Sequence, residues 1–406
     1  MRILYRLARI FWRMLPPARR RSLFIILTTL ASPRSSGSRA RVPVVVAGMV
    51  SSATGLGESA RMNIEGLKLA KLPYAVIDLS GSMLGPADLP SFLADQQERD
   101  APIGQGSLIL HVPAPVLPYA QLRCGRGVVK GKNVVGFIHW ELPRVPAAWR
   151  SGLRFMHEVW VPSQFCAAAV RPAFDGPIRV IPHPVDVAGV RKGKRGAVFT
   201  VLTMFNVASS FERKNPLAAI RAFKAAFGSD RGARLVMKVH SIEQYPDGLA
   251  QLQTEIDGAD NITLLTEVMA RRDVLELIAG ADVALSLHRS EGFGLLAAEA
   301  MMIGVPVVAT DWSATAEFVT PETGVPIGYS LIPAIDPQGA CHDPTQMWAD
   351  ADVDAAAAAL RKLRADPAFW MDLSERARSS AGALFSAERY AKAIRSILTG
   401  PPTSLQ

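Results

Sequence analysis

From residue 43 onwards, short apolar runs alternate with longer stretches that have the spacing of amphipathic helices. Apolar runs bounded by polar or glycine positions predict buried parallel strands, and the stretches between them predict helices. The strands predicted for the first half are 44–49, 75–79, 108–112, 134–138, 159–161 and 178–181. The pattern restarts after a basic stretch at 191–196, with strands predicted at 198–204, 235–239, 262–265, 283–287 and 305–309. This repeated alternation predicts an α/β protein with two doubly wound parallel sheets.

The domain boundaries follow from the same pattern. Residues 42–188 are expected to form the first domain and residues 189–385 the second, with a separate segment at 1–41. Ser386 is a suitable N-cap for a last helix, 386–398. Sheets of this type bind ligands at the carboxyl ends of their strands, so two facing sheets predict a cleft between the domains.

Composition agrees with a two-domain globular protein. The chain has 406 residues, of which 49% are hydrophobic and 20% are charged. This length exceeds what one compact core usually holds. The three cysteines, Cys124, Cys166 and Cys341, show no paired spacing. They predict neither a disulfide framework nor a structural zinc site, and a reducing cytoplasm fits them best.

The net charge of +9 comes from the N-terminal segment. Residues 1–41 contain ten arginines and no acidic residue, whereas the remaining chain has 35 basic and 36 acidic residues. A basic tail on a balanced body does not indicate nucleic-acid binding, and we expect no nucleic-acid partner.

The same segment is also rich in apolar residues. Four arginines fall on one face of a predicted helix that ends before Pro16-Pro17: Arg2, Arg6, Arg9 and Arg13. A second apolar run, 23–31, is too short to cross a bilayer. We interpret residues 1–31 as an interfacial anchor that binds an anionic membrane surface, followed by a flexible linker at 32–41. A signal peptide and a helix docked on the protein itself are the alternatives.

Residues 286–311 are the most informative stretch for chemistry. A predicted strand ends there in a polar, glycine-containing turn, and a helix and another predicted strand follow. Glu291 therefore lies at the carboxyl end of a strand, and Glu299 lies on the helix. Gly292 and Gly294 let the backbone approach a ligand near the positive end of the helix dipole. This arrangement suits a ligand that carries both phosphate and sugar hydroxyls.

Glu291 and Glu299, with His288-Arg289 before them and Gly304-Val305-Pro306 after, resemble the Glu-x7-Glu motif of retaining GT-B glycosyltransferases of family 4, the glycosyl transferases group 1. The resemblance implies a GT-B fold with two Rossmann-like domains, whose last helix packs back on the first domain. It also implies a catalytic contact of Glu291 with the donor sugar and a contact of Glu299 with the ribose. The donor-binding turn would consist of Gly292, Phe293, Gly294 and Leu295.

A second segment resembles the basic pair of the same family. Arg213 and Lys214 precede a helix that Pro216 can begin, which is a favourable position for a diphosphate. Many family members have an arginine five residues before the lysine, where this chain has Ser209, so Arg213 is expected to compensate. Lys238, at the end of the next predicted strand, matches a residue type common in the family and is expected to bind the donor.

Two segments of the first domain complete the resemblance. Gly55 and Gly57 resemble the family's first glycine-rich loop, which lies over the donor phosphates. Dehydrogenases share such a G-x-G, but their third glycine is replaced here by Ala60, and no acid stands convincingly after the second strand, although Asp78 comes near. His139 resembles the histidine that the family offers to the transferring sugar and is predicted to be catalytic.

Two other chemistries are not supported by the sequence. There is no G-x-S-x-G motif of a serine hydrolase. Asp350 and Asp352 form the D-x-D of GT-A metal sites, but they follow Trp348-Ala349 instead of an apolar strand and open a predicted helix, whose dipole explains them. We therefore predict no metal and no cofactor other than a nucleotide-sugar co-substrate.

The predicted function is the transfer of a hexose, with retention, from a nucleotide-sugar to a lipid-linked or oligosaccharide acceptor. Envelope or exopolysaccharide biosynthesis at the inner face of a bacterial cell membrane fits the basic tail. The sequence Glu212-Arg213-Lys214-Asn215-Pro216 resembles that of family members that use GDP-mannose. A GT-B sugar-nucleotide epimerase and a non-enzymatic two-domain sugar-binding protein are the alternatives.

Overall fold

The computed structural model describes residues 16–38, 40–52, 54–83 and 101–400, and within these ranges the chain forms two parallel sheets with helices on their faces. The strands of the first sheet are Val44–Gly48 (β1), Tyr74–Asp78 (β2), Ser107–His111 (β3), Asn133–Phe137 (β4), Glu158–Val161 (β5) and Ile178–Val180 (β6). Their order is β2-β1-β3-β4-β5-β6, and all neighbours pair in parallel.

The second sheet repeats this design. Its strands are Phe199–Asn206 (β7), Ala233–His240 (β8), Ile262–Leu265 (β9), Val283–Ser286 (β10), Val307–Thr310 (β11) and Val325–Ile327 (β12). They are parallel in the order β12-β11-β10-β7-β8-β9. The predicted fold class, two Rossmann-like α/β domains, is confirmed.

Helices cover both sheets. Those before and within the first domain are Pro17–Ala31 (α1), Gly55–Leu69 (α2), Ser80–Met83 (α3), Leu117–Cys124 (α4), Arg126–Val129 (α5), Arg150–Leu153 (α6) and Gln164–Val170 (α7). Those that follow are Phe211–Lys214 (α8), Pro216–Phe227 (α9), Pro246–Ile256 (α10), Arg271–Gly280 (α11), Leu295–Ile303 (α12), Val353–Ala365 (α13), Pro367–Phe385 (α14) and Ala387–Thr399 (α15).

The last helix, α15, packs on the first domain. Tyr390 accepts a hydrogen bond from Asn63 of α2 at 2.8 Å, and Arg395 donates to the carbonyl of Ala70 at 2.5 Å. Ile394 and Leu398 are buried in the core formed by α2 and the first sheet. The helix α15 therefore lies on the first domain, although it follows the second domain in the sequence.

An antiparallel hairpin of Tyr329–Ala334 (β13) and Asp343–Ala351 (β14) connects the two domains. Trp348 is fully buried in the hydrophobic core of the first domain. Gln346 accepts a hydrogen bond from the backbone N–H of Arg144 at 2.7 Å and donates one to the carbonyl of the same residue at 3.0 Å.

This hairpin corrects one sequence-based expectation. Asp350 lies on β14, so the prediction that it opens a helix was wrong, and only Asp352 stands at the start of α13. Both strands contain exposed positions and a proline, so the sequence shows no regular alternation of apolar and polar residues that would predict a strand. Asp350 nevertheless pairs with Arg289 at 3.0 Å, and Asp352 caps α13 by accepting from the N–H of Ala355 at 2.9 Å.

The segment 32–41 was predicted to be a flexible linker. Over the residues that the structure describes, it is instead bonded to the first domain. Ser35 donates to the carbonyl of Lys132 at 2.5 Å, and Asn133 donates to that of Ser38 at 2.7 Å. Arg41 pairs with the buried Glu158 at 2.8 Å. The small polar residues that suggested flexibility are also good hydrogen-bonding groups, and the first domain supplies their partners.

The carboxyl edges of the two sheets meet. Ser163, just beyond β5, donates a hydrogen bond to the carbonyl of Gly292 at 2.8 Å. The carboxylate of Glu317 accepts from the N–H groups of Gln164 and Phe165, at 3.0 and 2.8 Å, where it also opposes the helix dipole of α7. These contacts place the turn that contains Gly292 against the first domain.

Candidate functional site

The carboxyl edge of the second sheet holds a compact cluster of three charged residues. Glu291 forms ion pairs with Lys214 and, at 3.4 Å, with Arg213. Burial alone would raise the pKa of Glu291, but the positive charges of Lys214 and Arg213 outweigh it and lower the pKa to about 2. Glu291 is therefore a carboxylate at any physiological pH, and the three side chains together have a net charge of +1.

Arg213 and Lys214 differ in how they are held. Arg213 donates to the carbonyl of Ser290 at 2.7 Å and, through two nitrogens, to that of Ser209 at 3.2 and 2.8 Å. Its side chain is 3% exposed, whereas that of Lys214 is 18% exposed. The guanidinium is thus fixed by backbone carbonyls, and the side chain of Lys214 is the more accessible of the two cations.

The local backbone explains this placement. Ser210 has a positive φ of 81° and caps the short helix α8 by accepting from the N–H of Arg213 at 3.2 Å. Asn215, in the left-handed region with φ 49°, ends α8 and donates to the carbonyl of Leu287 at 3.0 Å. Asparagine tolerates that conformation better than most residues, which suits it to this turn.

Glycines shape the turn that carries Glu291. Gly294 has φ +88°, and a Cβ there would lie 2.4 Å from the methyl group of Thr315, so only glycine fits. A Cβ on Gly292 would lie 3.2 Å from the carbonyl oxygen of Trp140 in the first domain. Phe293 packs edge-on against His183, with ring centroids 5.2 Å apart, and Leu295 begins α12.

Glu299 lies in a separate position on α12. It is 2% exposed and pairs with Arg271 of α11 at 2.5 Å. Burial raises its pKa more than the Arg271 charge lowers it, and the nearby Glu58 of α2 raises it further. No hydrogen bond or ion pair in the described residues links Glu299 to the Glu291 cluster. Arg271 itself had no sequence signal beyond its place at the start of a helix.

The first domain contributes a group of stacked aromatic rings. The ring of Phe137 stacks against those of His111, His139 and His183, with centroid distances of 4.9, 5.3 and 5.1 Å. His139 and His183 are nearly coplanar and share a hydrogen between their Nε2 atoms, 2.8 Å apart. Burial lowers the pKa of His139 to about 4, so both rings are neutral and one donates to the other.

His288 belongs to the sequence motif that contains Glu291, but it was not predicted to be a donor-binding or catalytic residue. It is 1% exposed, and its Nε2 lies 2.7 Å from the hydroxyl of Thr315. Burial first, and then Lys214 and Arg213, lower its pKa to about 4, against the opposing charge of Glu291. The carboxylate of Glu291 thus lies next to a neutral imidazole, which a single histidine letter in the sequence could not indicate.

The structure does not bring all predicted residues together. Lys238 is buried in β8 with a pKa lowered by burial, and no described hydrogen bond or ion pair joins it to the charged cluster. Gly55 and Gly57 lie in the first turn of α2, next to Glu58. Gly57 permits close packing, because a Cβ there would lie 2.3 Å from the carbonyl oxygen of Ser52.

Asp78 plays a structural part in this loop. It accepts hydrogen bonds from Ser51 and Ser80, both at 2.6 Å. Burial opposes its ionisation, but these hydrogen bonds outweigh it and lower its pKa. Its oxygens hold the end of β2 to the loop after β1.

The second domain matches a known family. Residues 197–380 match the family described as glycosyl transferases group 1, so the second domain is similar to the domains of that group. A D-inositol 3-phosphate glycosyltransferase of Mycobacterium marinum is 33% identical over 141 residues, which are 33% of this chain and 30% of the relative. The corresponding enzyme of Saccharomonospora viridis is 31% identical over 189 residues, 43% of this chain and 41% of the relative. The aligned regions therefore cover less than half of these relatives.

Solved structures show the same fold over most of the chain. Anabaena HepE, in complex with UDP and glucose, superposes with a TM-score of 0.63 at 14% identity and covers 88% of this chain and 99% of its own. A glycosyltransferase from Rickettsia africae reaches a TM-score of 0.64 at 15% identity, covering 89% of this chain and 99% of its own. The two-domain architecture is thus that of GT-B proteins.

Proposed function

We propose that this protein is a retaining hexosyltransferase of the GT-B type, in family 4, that uses a nucleoside-diphosphate sugar and needs no metal. The observation that supports this most strongly is the net positive cluster of Arg213, Lys214 and Glu291 beside a glycine turn at the carboxyl edge of the second sheet. A diphosphate, not a neutral sugar, is the ligand that two cations at a helix-bearing edge favour.

Lys214 and Arg213 would act on the leaving group. Negative charge grows on the diphosphate as the bond to the sugar breaks, and fixed cations in a water-poor site stabilise it. The guanidinium of Arg213 is already held by Ser209 and Ser290, so it costs little reorganisation. Lys214 is the more accessible cation and would contact the diphosphate directly.

The two glutamates would have different tasks. Glu291 is ionised and can accept hydrogen bonds from sugar hydroxyls once the diphosphate draws Lys214 away. Glu299 would accept from the ribose hydroxyls, in place of or together with Arg271. Its greater burial keeps water from competing for the same oxygens.

The histidine pair of the first domain would face the transferring sugar or the acceptor. His139 and His183 each have a buried Nδ1 atom without a hydrogen-bond partner in the described residues. The ring that donates its Nε2–H has an unprotonated Nδ1, and the other ring has an Nδ1–H. The pair can therefore either accept a hydrogen bond from a hydroxyl group or donate one to it. This supports the assignment of His139 to the catalytic site.

GDP-mannose is the donor to test first, on the resemblance of residues 212–216 to mannosyltransferases. UDP-glucose is the competing donor, because HepE was solved with UDP and glucose. The acceptor we propose is a hydroxyl of a lipid-linked saccharide in envelope or exopolysaccharide biosynthesis, with the enzyme attached peripherally to the inner face of the cell membrane. The ten arginines of residues 1–41 support such an attachment.

The test is a thermal-shift screen of the full chain with GDP, UDP, ADP and their common sugars in the presence of EDTA, followed by detection of nucleotide release. Stabilisation by one nucleotide and its sugar is expected, and Lys214→Met should reduce it because the ammonium group is lost while the stem is kept. Glu299→Gln should weaken binding of the nucleotide without abolishing the response to inorganic diphosphate.

Lys68→Met is the matched control, since Lys68 is a surface lysine on α2 whose side chain is 62% exposed. It should leave the thermal shift unchanged. A protein stabilised by free sugars but by no nucleotide would contradict the transferase and support the sugar-binding alternative. Conversion of the nucleotide-sugar without transfer to any hydroxyl would support the epimerase.

A further inference from the structure

The helix α1 is apolar on two faces, and the protein covers only one of them. Phe24 packs edge-on against Tyr119 of α4, with ring centroids 5.0 Å apart, and Thr28 is buried. Ile26, Leu27 and Leu30 are not covered in this way and are 54%, 52% and 77% exposed. A helix with apolar residues on every face is normally buried on every face. The second apolar face of α1 therefore calls for a binding partner, because the described residues of the chain do not cover it.

A groove continues this apolar surface into the first domain. Its volume is about 840 Å³, and it runs between Ile25 and Ile26 of α1 and the residues Met156 and Phe174 of the domain. Arg150 and Arg154 also line it. The exposed helix face and the groove therefore form one continuous surface, shared between α1 and the body of the first domain.

The charge around this surface is positive and uncompensated. Arg19, Arg34, Arg150, Arg154 and Arg171 are exposed, and in the described part of the chain none of them forms an ion pair with a carboxylate. Arg34 and Arg154 instead lie over the ring of Phe155, at 5.4 and 5.5 Å from its centroid. Asp175 is the one acidic residue among those that line the groove.

We propose that this surface docks the first domain on an anionic phospholipid bilayer, in a fixed orientation. We call it the docking face and define it by Ile26, Leu27, Leu30, Arg150 and Arg154. Exposed aliphatic side chains would enter the acyl boundary, and arginines beside them would bind lipid phosphates. A nucleic acid would match the arginines but not the aliphatic residues.

The fixed orientation follows from how α1 is attached. The residues after it are hydrogen-bonded along the first domain, by Ser35 to Lys132 and by Asn133 to Ser38, and Arg41 is paired with Glu158. A basic tail on a loose linker would bind lipid without orienting the domain. Here the body itself contributes arginines to the contact, which the sequence-based interpretation of residues 1–31 did not include. This inference does not depend on the proposed transfer reaction.

The experiment is flotation of the full chain with vesicles of phosphatidylcholine, with and without phosphatidylglycerol. Arg150→Gln with Arg154→Gln should lower the partition coefficient on anionic vesicles roughly thirtyfold, since each arginine near the surface contributes about fivefold. Ile26→Gln with Leu30→Gln should lower it at least as much through lost acyl contact. Neutral vesicles should bind all variants weakly.

The matched controls lie on the second domain. Arg231→Gln with Arg272→Gln removes two arginines whose side chains are 89% and 68% exposed, and Val268→Gln changes an apolar residue that is 83% exposed. These variants should bind like the parent protein, and circular dichroism should show all variants folded.

Two results would overturn the proposal. One is binding that is lost when residues 1–15 are deleted but is unaffected by the changes at Arg150, Arg154, Ile26 and Leu30. The other is an absence of vesicle binding together with a concentration-dependent dimer that Leu30→Gln dissociates, because the face would then be covered by a second copy. Since vesicle binding needs no donor or turnover, either result leaves the test of the transferase activity separate.

Discussion

The carboxyl edge of the second sheet and the docking face of the first domain both concentrate positive charge, but they hold it in opposite ways. At the sheet edge, Arg213 is buried, Lys214 is partly buried, and Glu291 neutralises one of the two charges. On the docking face, Arg150 and Arg154 are exposed and have no carboxylate partner among the described residues. The first arrangement is pre-organised around a small space, whereas the second is open and extended.

The difference indicates what each region can bind. Buried cations with a built-in counter-ion favour a compact anion that replaces the counter-ion, such as a diphosphate. Exposed cations beside aliphatic side chains favour a surface that offers phosphates and acyl chains together. One chain therefore carries two anion sites of different scale, one on each domain.

The largest effect is expected from breaking the compensated cluster. Glu291→Gln leaves the buried Arg213 beside the partly buried Lys214 without their counter-charge, and loss of one partner of a buried ion pair costs about 3–5 kcal/mol of unfolding free energy. Transfer should fall about 100-fold or more, because the sugar loses a charged acceptor. Nucleoside-diphosphate affinity should not fall, since the site becomes more positive.

Chemical denaturation and nucleotide titration check both parts. Glu276→Gln is the control, because Glu276 forms an exposed pair with Arg272 at 2.8 Å and should contribute only about 0–1 kcal/mol. Equal losses of stability in the two variants would contradict the assignment of Glu291 to a tightly coupled buried cluster.

An intermediate effect is expected from acid. His111, His183 and His288 are buried with lowered pKa values, that of His288 being about 4. An unfolded histidine has a pKa near 6.5, so between these values the unfolded chain binds more protons. Stability should be complete above about pH 6.5 and decline as the pH falls towards 4. Glu291 adds to the loss only at the acid end of this window, because its stabilising effect declines below the ordinary glutamate pKa of 4.5.

Urea denaturation at a series of pH values measures this decline. For His288 alone it amounts to about 3 kcal/mol, at roughly 1.4 kcal/mol per unit of pKa. His288→Gln should flatten the curve, since the amide can still bond to Thr315 but takes up no proton. A midpoint that is equal at neutral pH and at pH about 4.5 would contradict the burial of these rings in neutral form.

The smallest effect on stability is expected beside the docking face, at Arg19 of α1. Arg19→Gln removes an exposed charge without an ion-pair partner in the described residues, so the unfolding free energy should change by less than about 0.5 kcal/mol. Vesicle binding should still weaken. A clear loss of stability would mean that this arginine is held by the protein and is not available to lipid.

Some of the fold could be predicted from the sequence because the pattern is strong there. The runs at Val44–Gly48 and Val307–Thr310 are buried at every position, and such continuous apolar runs are typical of parallel strands. The hairpin of β13 and β14 was missed, because its burial depends on contacts with the other domain. Gln346 gave no signal either, since its only unusual feature is its pairing with Arg144.

The candidate site shows the same limit. Resemblance and strand ends pointed to Glu291, Arg213 and Lys214, and the structure places these three in contact. The sequence could not indicate that Arg271 pairs with Glu299 or that His183 faces His139, because both contacts join segments far apart in the chain. The prediction for residues 1–31 falls partly on residues 1–15, outside the described ranges.

The proposed transferase activity depends on the interpretation of the cluster at Arg213, Lys214 and Glu291 as a diphosphate site. Isothermal titration of the full chain with the nucleoside diphosphate and with the matching nucleoside tests it most directly. We expect the diphosphate to bind at least 100-fold more tightly, as two charge-assisted contacts would give, and Lys214→Met to remove most of that advantage. Equal binding of nucleoside and diphosphate, or a diphosphate preference unchanged by Lys214→Met, would contradict it.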